Sequence, residues 1–428
     1  MVGWAGVSGL EIFMTLSTQL HSVDSLHPGF IRTALEDIVE VLDHLRIPVN
    51  SEERAQRSGK VPYYGANGQQ GWIDRPIFDE PLILLAEDGG NFDDFETRPI
   101  AYRISGPSWV NNHAHIIKAK AGYNQDFIFW SLVHKDIRRF IAGGTRTKLN
   151  QGELRKISLN IPEDDRERTQ IAEILNNHET SIRQTEAIIA KLQQVKKGLL
   201  HDLLTRGIDD SGQLRPPQHL APELYKESPL GWIPKEWMTR SFGDLATYTN
   251  GYSFNAASWK TSGLPIIRIQ NLNGDSSFNY YQGAIDDRWH IFSGDLLFAW
   301  SGQKGVSFGA RIWNGPEGVL NQHIFKVWTN EALVSKEFLL HIFKYRQTAI
   351  EDTAHGFKDS FLHVTRGELT GVLAAIPVAK EQSKILGCIQ AHEMKLNLEI
   401  DNLLKLKKQK SGLMNDLLTG KVRVTSLL

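Results

Sequence analysis

Largely apolar residues recur at alternating intervals of four and three residues in two long stretches of the chain. This spacing is the heptad pattern of a coiled coil, and no proline interrupts either stretch. The pattern predicts two long helices, each with a stripe that needs a partner helix, because a helix of about 60 Å cannot bury such a stripe inside a small globule. The first series consists of Ile171, Leu175, His178, Ile182, Thr185, Ile189, Leu192, Lys196, Leu199 and Leu203. The second series consists of Ile385, Ile389, His392, Leu396, Glu399, Leu403, Leu406, Lys410, Leu413 and Leu417.

The two stretches are copies of one another. Residues 174–205 align without a gap with residues 388–419, at an offset of 214 positions, and the run Asp-Leu-Leu-Thr closes both copies. Fainter matches lie upstream, where Ile161-Pro162 corresponds to Ile376-Pro377. The chain is therefore an internal duplication, and the obvious partner of each long helix is its own copy.

The sequence before each long helix has the pattern of a strand-rich globular domain. Short apolar runs are bounded by glycine, asparagine and aspartate, as expected for strands and turns. We expect an α+β fold in which two strand-rich mixed globular domains are joined and separated by two long antiparallel helices that form an intramolecular coiled coil. The expected segments are a first domain at 1–162 (with 1–30 an unassigned extension), a central helix at 163–208, a proline-rich linker at 209–232, a second domain at 233–378 and a C-terminal helix at 379–424.

Composition narrows the class of protein without identifying a partner. The 428 residues suffice for two or three domains. The 48 lysines and arginines balance 49 aspartates and glutamates, so nucleic-acid binding would require local clustering of charge. There is one cysteine, Cys388, no basic residue precedes Arg32, and no apolar run approaches about 18 residues. These features predict a cytoplasmic protein without disulfides, a signal peptide or a membrane span.

Four short stretches carry a family resemblance. They are KVPYYGANG at 60–68, DEPLILLAEDGGNF at 79–92, WVNNHAH at 109–115 and PKEW at 234–237. Together with the order of variable domain, long helix, variable domain and long helix, they resemble the specificity subunit of a type I restriction–modification system, which has two target-recognition domains. The resemblance covers about residues 31–424.

The resemblance implies a non-catalytic, sequence-specific DNA-binding subunit. Each target-recognition domain would read one half of a bipartite target in double-stranded DNA, and the helix pair would set the spacing between the halves. The implied partners are two copies of a methyltransferase subunit and a restriction/translocase subunit, which would carry out methylation and cleavage. No membrane and no cofactor is implied.

Candidate DNA-binding residues are polar or cationic side chains in or beside glycine-marked loops, where they suit contacts to phosphates and base edges. For each one alone, a solvated surface position is the alternative, and the two tyrosines could equally pack in a core or hairpin. In the first domain the candidates are Lys60, Tyr63, Tyr64, Asn67, Arg146 and Lys148. In the second domain they are Lys260, Arg268, Gln270, Asn271, Lys304 and Lys358.

Other chemistry is weakly indicated. His113 and His115 would face the same side of a strand, but no Asp, Glu or Cys is expected to complete a ligand set, so a buried, hydrogen-bonded structural role is favoured and no metal is expected. Cys388 is expected to pack beside the helix seam as a small apolar residue. No phosphate-binding loop or methylase motif is found, which predicts no catalytic residues. The alternatives are a stand-alone restriction enzyme or DNA methylase with an unrecognised active site, and a coiled-coil scaffold for proteins.

Overall fold

The computed structural model describes residues 26–142, 147–357 and 361–428, which form two compact units. The first unit contains residues 26–187 and Ile400–Leu428, and the second contains Ile188–Glu399. Both long helices therefore contribute one part to each unit. Most of the unassigned extension at 1–30 lies outside the described residues.

The first half of the chain alternates short strands with short helices before one long helix begins. Strands β1 to β12 are Phe30–Ala34, Val39–Val41, Val61–Gly65, Gly68–Ile73, Phe78–Asp79, Leu82–Ala86, Ala101–Ile104, Pro107–Val110, Ala114–Ala119, Ile141–Ala142, Lys148–Leu149 and Ser158–Pro162. Helices α1 to α5 are Leu35–Ile38, Ser51–Gln56, Gln125–Leu132, Gln151–Lys156 and Asp165–Thr205. We call the part from β1 to β12 the first head.

The second half repeats this plan. Strands β13 to β27 are Tyr225–Ser228, Gly231–Pro234, Met238–Ser241, Ala246–Asn250, Leu264–Ile267, Asn279–Tyr281, His290–Ile291, Leu296–Ala299, Ser301–Gln303, Gly309–Ile312, Gly318–Leu320, Ile324–Thr329, His355–Phe357, Phe361–His363 and Leu373–Ile376. Helices α6 to α11 are Phe242–Leu245, Ile269–Leu272, Lys336–Tyr345, Gln347–Thr353, Arg366–Gly371 and Ala379–Leu418. We call the part from β15 to β27 the second head.

The two heads share the topology of their two four-stranded sheets. The first head has a four-stranded sheet in the order β2-β9-β6-β7 and another in the order β4-β3-β8-β5, in which β3 and β8 are parallel. The second head has β16-β24-β20-β22 and β18-β17-β23-β19, in which β17 and β23 are parallel. In both heads the first and last strands pair antiparallel, β1 with β12 and β15 with β27. The duplication therefore includes the heads, although little of their sequence reveals it.

Each head builds its core around the central strands of its first sheet and one helix. All residues of β6 and of β20 are buried, which is typical of strands covered on both faces. Helix α3 contributes Phe127 and Trp130 to the first core, and α8 contributes Phe338 and Phe343 to the second. Both helices start with a side-chain cap, which satisfies a backbone N–H that the helix itself leaves free.

The long helices α5 and α11 pack antiparallel along the predicted seam. In the first unit Glu179 lies 2.5 Å from Lys410, and in the second unit Glu393 lies 2.7 Å from Lys196. These are the same two positions of the repeat with their helices exchanged. Every seam residue is buried or half-buried, which confirms the predicted register, whereas Cys388 is exposed and the prediction of packing beside the seam was wrong. Within the described ranges, neither these nor the shorter helices combine the length and apolar character needed to cross a bilayer.

A buried glutamate near the start of each long helix binds the segment that follows the other long helix. Near the start of α5, the Glu167 carboxylate accepts hydrogen bonds from the Arg423 guanidinium at 2.6 Å and from the backbone N–H of Val424 at 3.2 Å. The hydrogen bond from Arg423 lowers the pKa of Glu167 against the opposing effect of burial. The C-terminal residues of the chain are thereby held within the first unit.

Glu381 is the equivalent residue of the second unit. Its carboxylate accepts hydrogen bonds from the backbone N–H of Ile208 at 2.9 Å, from the Trp237 indole at 3.1 Å and from Arg215. Burial disfavours the charged form of Arg215, but the hydrogen bond to Glu381 and the negative charges of Glu381 and Glu236 together raise the pKa of the guanidinium. Arg215 belongs to the region expected to be a linker, so that region has a structural role.

We predict that Arg215→Ala will destabilise the second unit by about 3–5 kcal/mol, because removing one partner of a buried pair leaves the other charge uncompensated. Urea unfolding followed by tryptophan fluorescence measures this, since Trp237 contacts the same carboxylate. Arg288→Ala is the matched control, because Arg288 pairs with Asp286 at the surface and its loss should leave the midpoint unchanged. An equal midpoint for Arg215→Ala and the control would contradict the role given to this pair.

Candidate nucleic-acid interface

Two of the candidate residues of the first head lie around the loop that follows β6. Asn67, in the turn between β3 and β4, donates from Nδ2 to the Gly89 carbonyl at 2.8 Å. Lys148 is exposed on β11 and its ammonium lies 3.0 Å from the Glu87 carboxylate. Lys60 is also exposed, just before β3. The structure therefore brings Asn67 and Lys148 to one loop, while Lys60 precedes the strand that leads to it.

The two tyrosines of β3 differ in their surroundings. Tyr63 is only 2% exposed, donates from its hydroxyl to the Val49 carbonyl at 3.2 Å and has the Arg54 guanidinium over its ring. These contacts favour the packing alternative for Tyr63. Tyr64 is half-buried, with its ring centroid 6.1 Å from that of Tyr102, and it keeps part of its surface accessible.

Three candidates of the second head lie on or beside the short helix α7. Arg268 stacks over the Trp259 ring at 4.2 Å, and one of its terminal nitrogens is buried without a hydrogen-bond partner. Burial lowers the pKa of this guanidinium. Gln270 is exposed and donates to Asp275 at 3.2 Å. Asn271 is buried, accepting from the Arg268 backbone and donating to the Asp275 carbonyl, so its side chain is used in shaping the loop.

The remaining described candidates, Lys260 and Lys304, lie apart from these groups. Lys260 is exposed and its backbone forms an isolated bridge to β18. Lys304 lies in the loop after β21, with its ammonium 3.2 Å from the Glu351 carboxylate. Arg146 and Lys358 lie outside the described residues.

Strand register reveals equivalent positions in the two heads that carry different chemistry. His113 precedes β9 and lies beside the loop that follows β6. His323 precedes β24 and lies beside the residues that follow β20. In the first head His113 is 2.9 Å from the Asp88 carboxylate. In the second head His323 lies with its ring 5.2 Å from that of Trp300, and burial followed by the nearby His363 lowers the pKa of His323. Equivalent positions therefore hold a histidine–carboxylate contact in one head and a histidine–tryptophan contact in the other.

Beneath the first loop lies a buried ion network that the sequence did not reveal. His115, 1% exposed, contacts Asp43 at 2.6 Å through Nδ1 and the Leu149 carbonyl at 2.8 Å through Nε2. Glu87 completes a group whose potential ligand atoms lie within 4.8 Å of one another. Its carboxylate is 2.5 Å from Arg46, which also lies 3.6 Å from Asp43. Because protein donors already engage both carboxylates, the group is arranged as an internal ion network.

The acidic members of this network are held in their charged forms. Burial raises the pKa of Asp43, but the hydrogen bond and charge of His115, with smaller contributions from the Ile116 N–H and Arg46, bring it below its ordinary value. Burial likewise opposes the ionisation of Glu87, and its hydrogen bonds from Arg46 and Lys148 lower its pKa overall. The network fixes the base of the loop that holds Asn67 and Lys148.

Two heads of one topology, each assembled with parts of an antiparallel helix pair, define a duplicated two-headed class of protein. The model of the type I restriction modification DNA specificity domain matches residues 32–194 and again residues 234–408. Since these matches cover well over half of the chain, the protein belongs to this family.

Relatives and solved structures agree with this assignment. A Haemophilus influenzae protein named as a type I restriction enzyme specificity subunit is 25% identical over 370 residues, 85% of this chain and 87% of the relative. The crystal structure of the type I restriction–modification system S subunit from M. genitalium has a TM-score of 0.57 at 12% identity, covering 93% of this chain and 98% of that one. A chain from a study of complex assembly and conformational transition of the type I system has a TM-score of 0.54 at 13% identity, covering 93% and 100%. At these identities the structures show the fold alone.

We predict that Asp43→Asn will destabilise the first unit by about 1–3 kcal/mol at neutral pH, because a charged hydrogen-bond acceptor of His115 is replaced by a neutral one. The folded-state pKa of Asp43 lies below its unfolded value of about 4. Its contribution is therefore present above that pH and is lost as the pH falls through the folded-state value.

The measurement is urea unfolding at pH 7 and at several values below pH 4. The stability difference between wild type and Asp43→Asn should shrink with acidification. Asp94→Asn, at an exposed site of the same head, serves as the control and should change nothing. A difference that stays constant down to the lowest pH would show that the Asp43 charge is not the source.

Proposed function

We propose that this chain is the sequence-specific DNA-binding specificity subunit of a type I restriction–modification complex. In this proposal it reads a bipartite target and directs methylation and cleavage by partner subunits, without an active site of its own. The observation that carries the proposal is the pair of heads with the same strand topology and different side chains at equivalent loop positions. Two heads with the same sheets and different loop residues suit the reading of two different half-sites.

The loop side chains have the chemistry that half-site recognition needs. Exposed lysines suit phosphate contacts, whereas asparagine, glutamine and arginine side chains can hydrogen-bond base edges. In the first head Asn67 and Lys148 lie at one loop, and in the second head Arg268 and Gln270 lie at α7. We assign the expected domains at 1–162 and 233–378 as target-recognition domains, linked by the segment at 209–232.

Contacts that are repeated along the helix pair are consistent with the partner subunits proposed for this chain. The exchanged pairs Glu179–Lys410 and Glu393–Lys196 present the same pattern once in each unit. A surface that occurs twice suits a partner that binds twice, and we assign it to two copies of the methyltransferase subunit, with the restriction/translocase subunit joining them. We assign the helical segments at 163–208 and 379–424 as the spacer that sets the distance between half-sites.

An enzyme with its own active site is the rival function. The buried group of Asp43, Glu87 and His115 has the composition of a catalytic or metal site, but its polar atoms are engaged by neighbouring protein donors and acceptors. The decisive test combines the purified chain, with and without the methyltransferase subunit, with DNA and labelled S-adenosylmethionine. We expect methyl transfer only with the added subunit, and footprints of two protected blocks. Methyl transfer by the chain alone would overturn the proposal.

We predict that Arg268→Ala will weaken binding to the cognate target by about 1–3 kcal/mol and relax discrimination at one position of one half-site. The reason is that the half-buried Arg268 side chain is held in place over the Trp259 ring, which fixes its orientation for a base contact. Competition binding against a library varied at each half-site measures both effects. Arg288→Ala, in the same head but paired with Asp286, is the control. Unchanged discrimination throughout both half-sites would remove Arg268 from the reading surface.

We predict that inserting one heptad after Ala187 and another after Glu399 will lengthen the unread spacer by about three base pairs, because seven helical residues add about 10 Å. These insertions fall at the boundary between the units, so the ion pairs within each unit are kept. Mapping of modified bases measures the spacing. Inserting a heptad in only one helix is the control and should impair assembly. An unaltered spacer with two inserted heptads would refute the proposed role of the helices.

A further inference from the structure

A small cavity of about 70 Å³ lies in the second unit where the end of α5 meets the second head. Its walls come from α5, β14, α8 and β27, and they are mostly apolar. The residues used below are Leu204, Trp232, Ile342, Tyr345, Arg346 and Ala374. None of them belongs to the loops assigned to DNA reading.

One polar group at this cavity lacks a partner. The Nε atom of Arg346 is buried and makes no hydrogen bond, and Arg346 forms no ion pair with any residue in the described ranges. Arg346 is half-buried and its guanidinium has no protein acceptor in the described ranges, so its remaining N–H groups are suited to an anion supplied from elsewhere. Tyr345 beside it has a pKa raised by burial, so its hydroxyl stays neutral.

The opening of the cavity also carries an exposed aromatic side chain. Trp232 on β14 is 47% exposed although it belongs to the apolar lining. Tryptophan, tyrosine and arginine around an apolar pocket are the residue types that dominate protein–protein binding energy. A DNA phosphate would satisfy Arg346 but would gain nothing from the walls formed by Leu204, Ile342 and Ala374.

We propose that this cavity docks a segment of the methyltransferase subunit that presents an aliphatic side chain next to a carboxylate. The aliphatic group fills the space between Leu204 and Ile342, and the carboxylate accepts from Arg346. This inference rests on the proposed function and adds to it a contact site with defined chemistry.

A basic residue recurs at the equivalent position of the first head. Lys135 follows the capping residue Asn124 of α3 by the same eleven residues by which Arg346 follows the capping residue Ser335 of α8. Burial, with the nearby charges of Arg139 and Arg32, lowers the pKa of Lys135. A cation kept in both heads fits a partner that binds both halves, since residues that read DNA differ between the heads.

The test measures binding of the full-length chain to the methyltransferase subunit by isothermal titration calorimetry, with native mass spectrometry for stoichiometry. Arg346→Glu should weaken the interaction by about tenfold or more, because it places like charges together. Arg346→Lys should restore most of the affinity, and Trp232→Ala, at a position that is 47% exposed, should weaken it independently. Arg288→Glu controls for the change of surface charge.

DNA footprints of these variants without the methyltransferase subunit should match those of the wild type. Wild-type affinity in both Arg346→Glu and Trp232→Ala overturns the docking site while leaving the proposed function standing. Failure of the wild-type chain to bind the methyltransferase subunit at all overturns the proposed function and this inference together. Loss of self-association instead of partner binding would assign the cavity to a second copy of the chain and would also overturn the inference.

Discussion

The stripe along each long helix is the constraint on which the rest of the structure depends. A helix with an apolar seam over most of its length is not stable alone in water, and its seam must be covered by another helix. Duplication supplies that second helix within the same chain. Because the copies run antiparallel, a repeated position does not face its own copy. Glu179 therefore pairs with Lys410, and Lys196 pairs with Glu393.

The same duplication explains how each head is fixed to its helices. Glu167 and Glu381 lie at equivalent positions, and each carboxylate is buried among donors from the chain that leaves the other long helix. The donors are not themselves copies, since Arg423 serves one glutamate and Arg215 the other. A buried charge tolerates a change in the identity of its partner, provided that some cation and N–H group remain. The two junctions could therefore diverge without losing their function.

The sequence predicted the long helices well because their pattern is local and periodic. The seam register, the pairing of the two copies and the presence of two strand-rich heads follow from residue spacing and from the ungapped repeat, whereas the antiparallel orientation was expected from the family resemblance. Equivalent strands of the heads were harder to detect, because sheet topology depends on which strands pair, and few residues are shared between copies. The bounds of the helices, Asp165–Thr205 and Ala379–Leu418, lie inside the predicted segments, since chain ends fray or turn before the pattern stops.

The candidate site shows where sequence reasoning reaches its limit. His115 is buried and hydrogen-bonded, as expected of a structural histidine, but the expectation that no acidic residue accompanies it was wrong. Its partner Asp43 lies 72 residues away in the sequence, and no local pattern links them. Tyr63 and Asn271 have residue types suited to DNA, yet their side chains are engaged in packing and in shaping a loop. Residue type and a neighbouring glycine identify a loop, whereas burial decides which of its side chains are available.

A division of labour follows from these contacts. In the first head the buried network around His115 lies beneath the loop that follows β6 and holds its base. The chemistry that differs between the heads lies just after the central strand of each first sheet, where Glu87 and Asp88 in one head correspond to Trp300 and Ser301 in the other. Because the supporting network of each head lies within its own unit, the loops of one head can change without disturbing the other. Such independence suits the proposed reading of two separate half-sites.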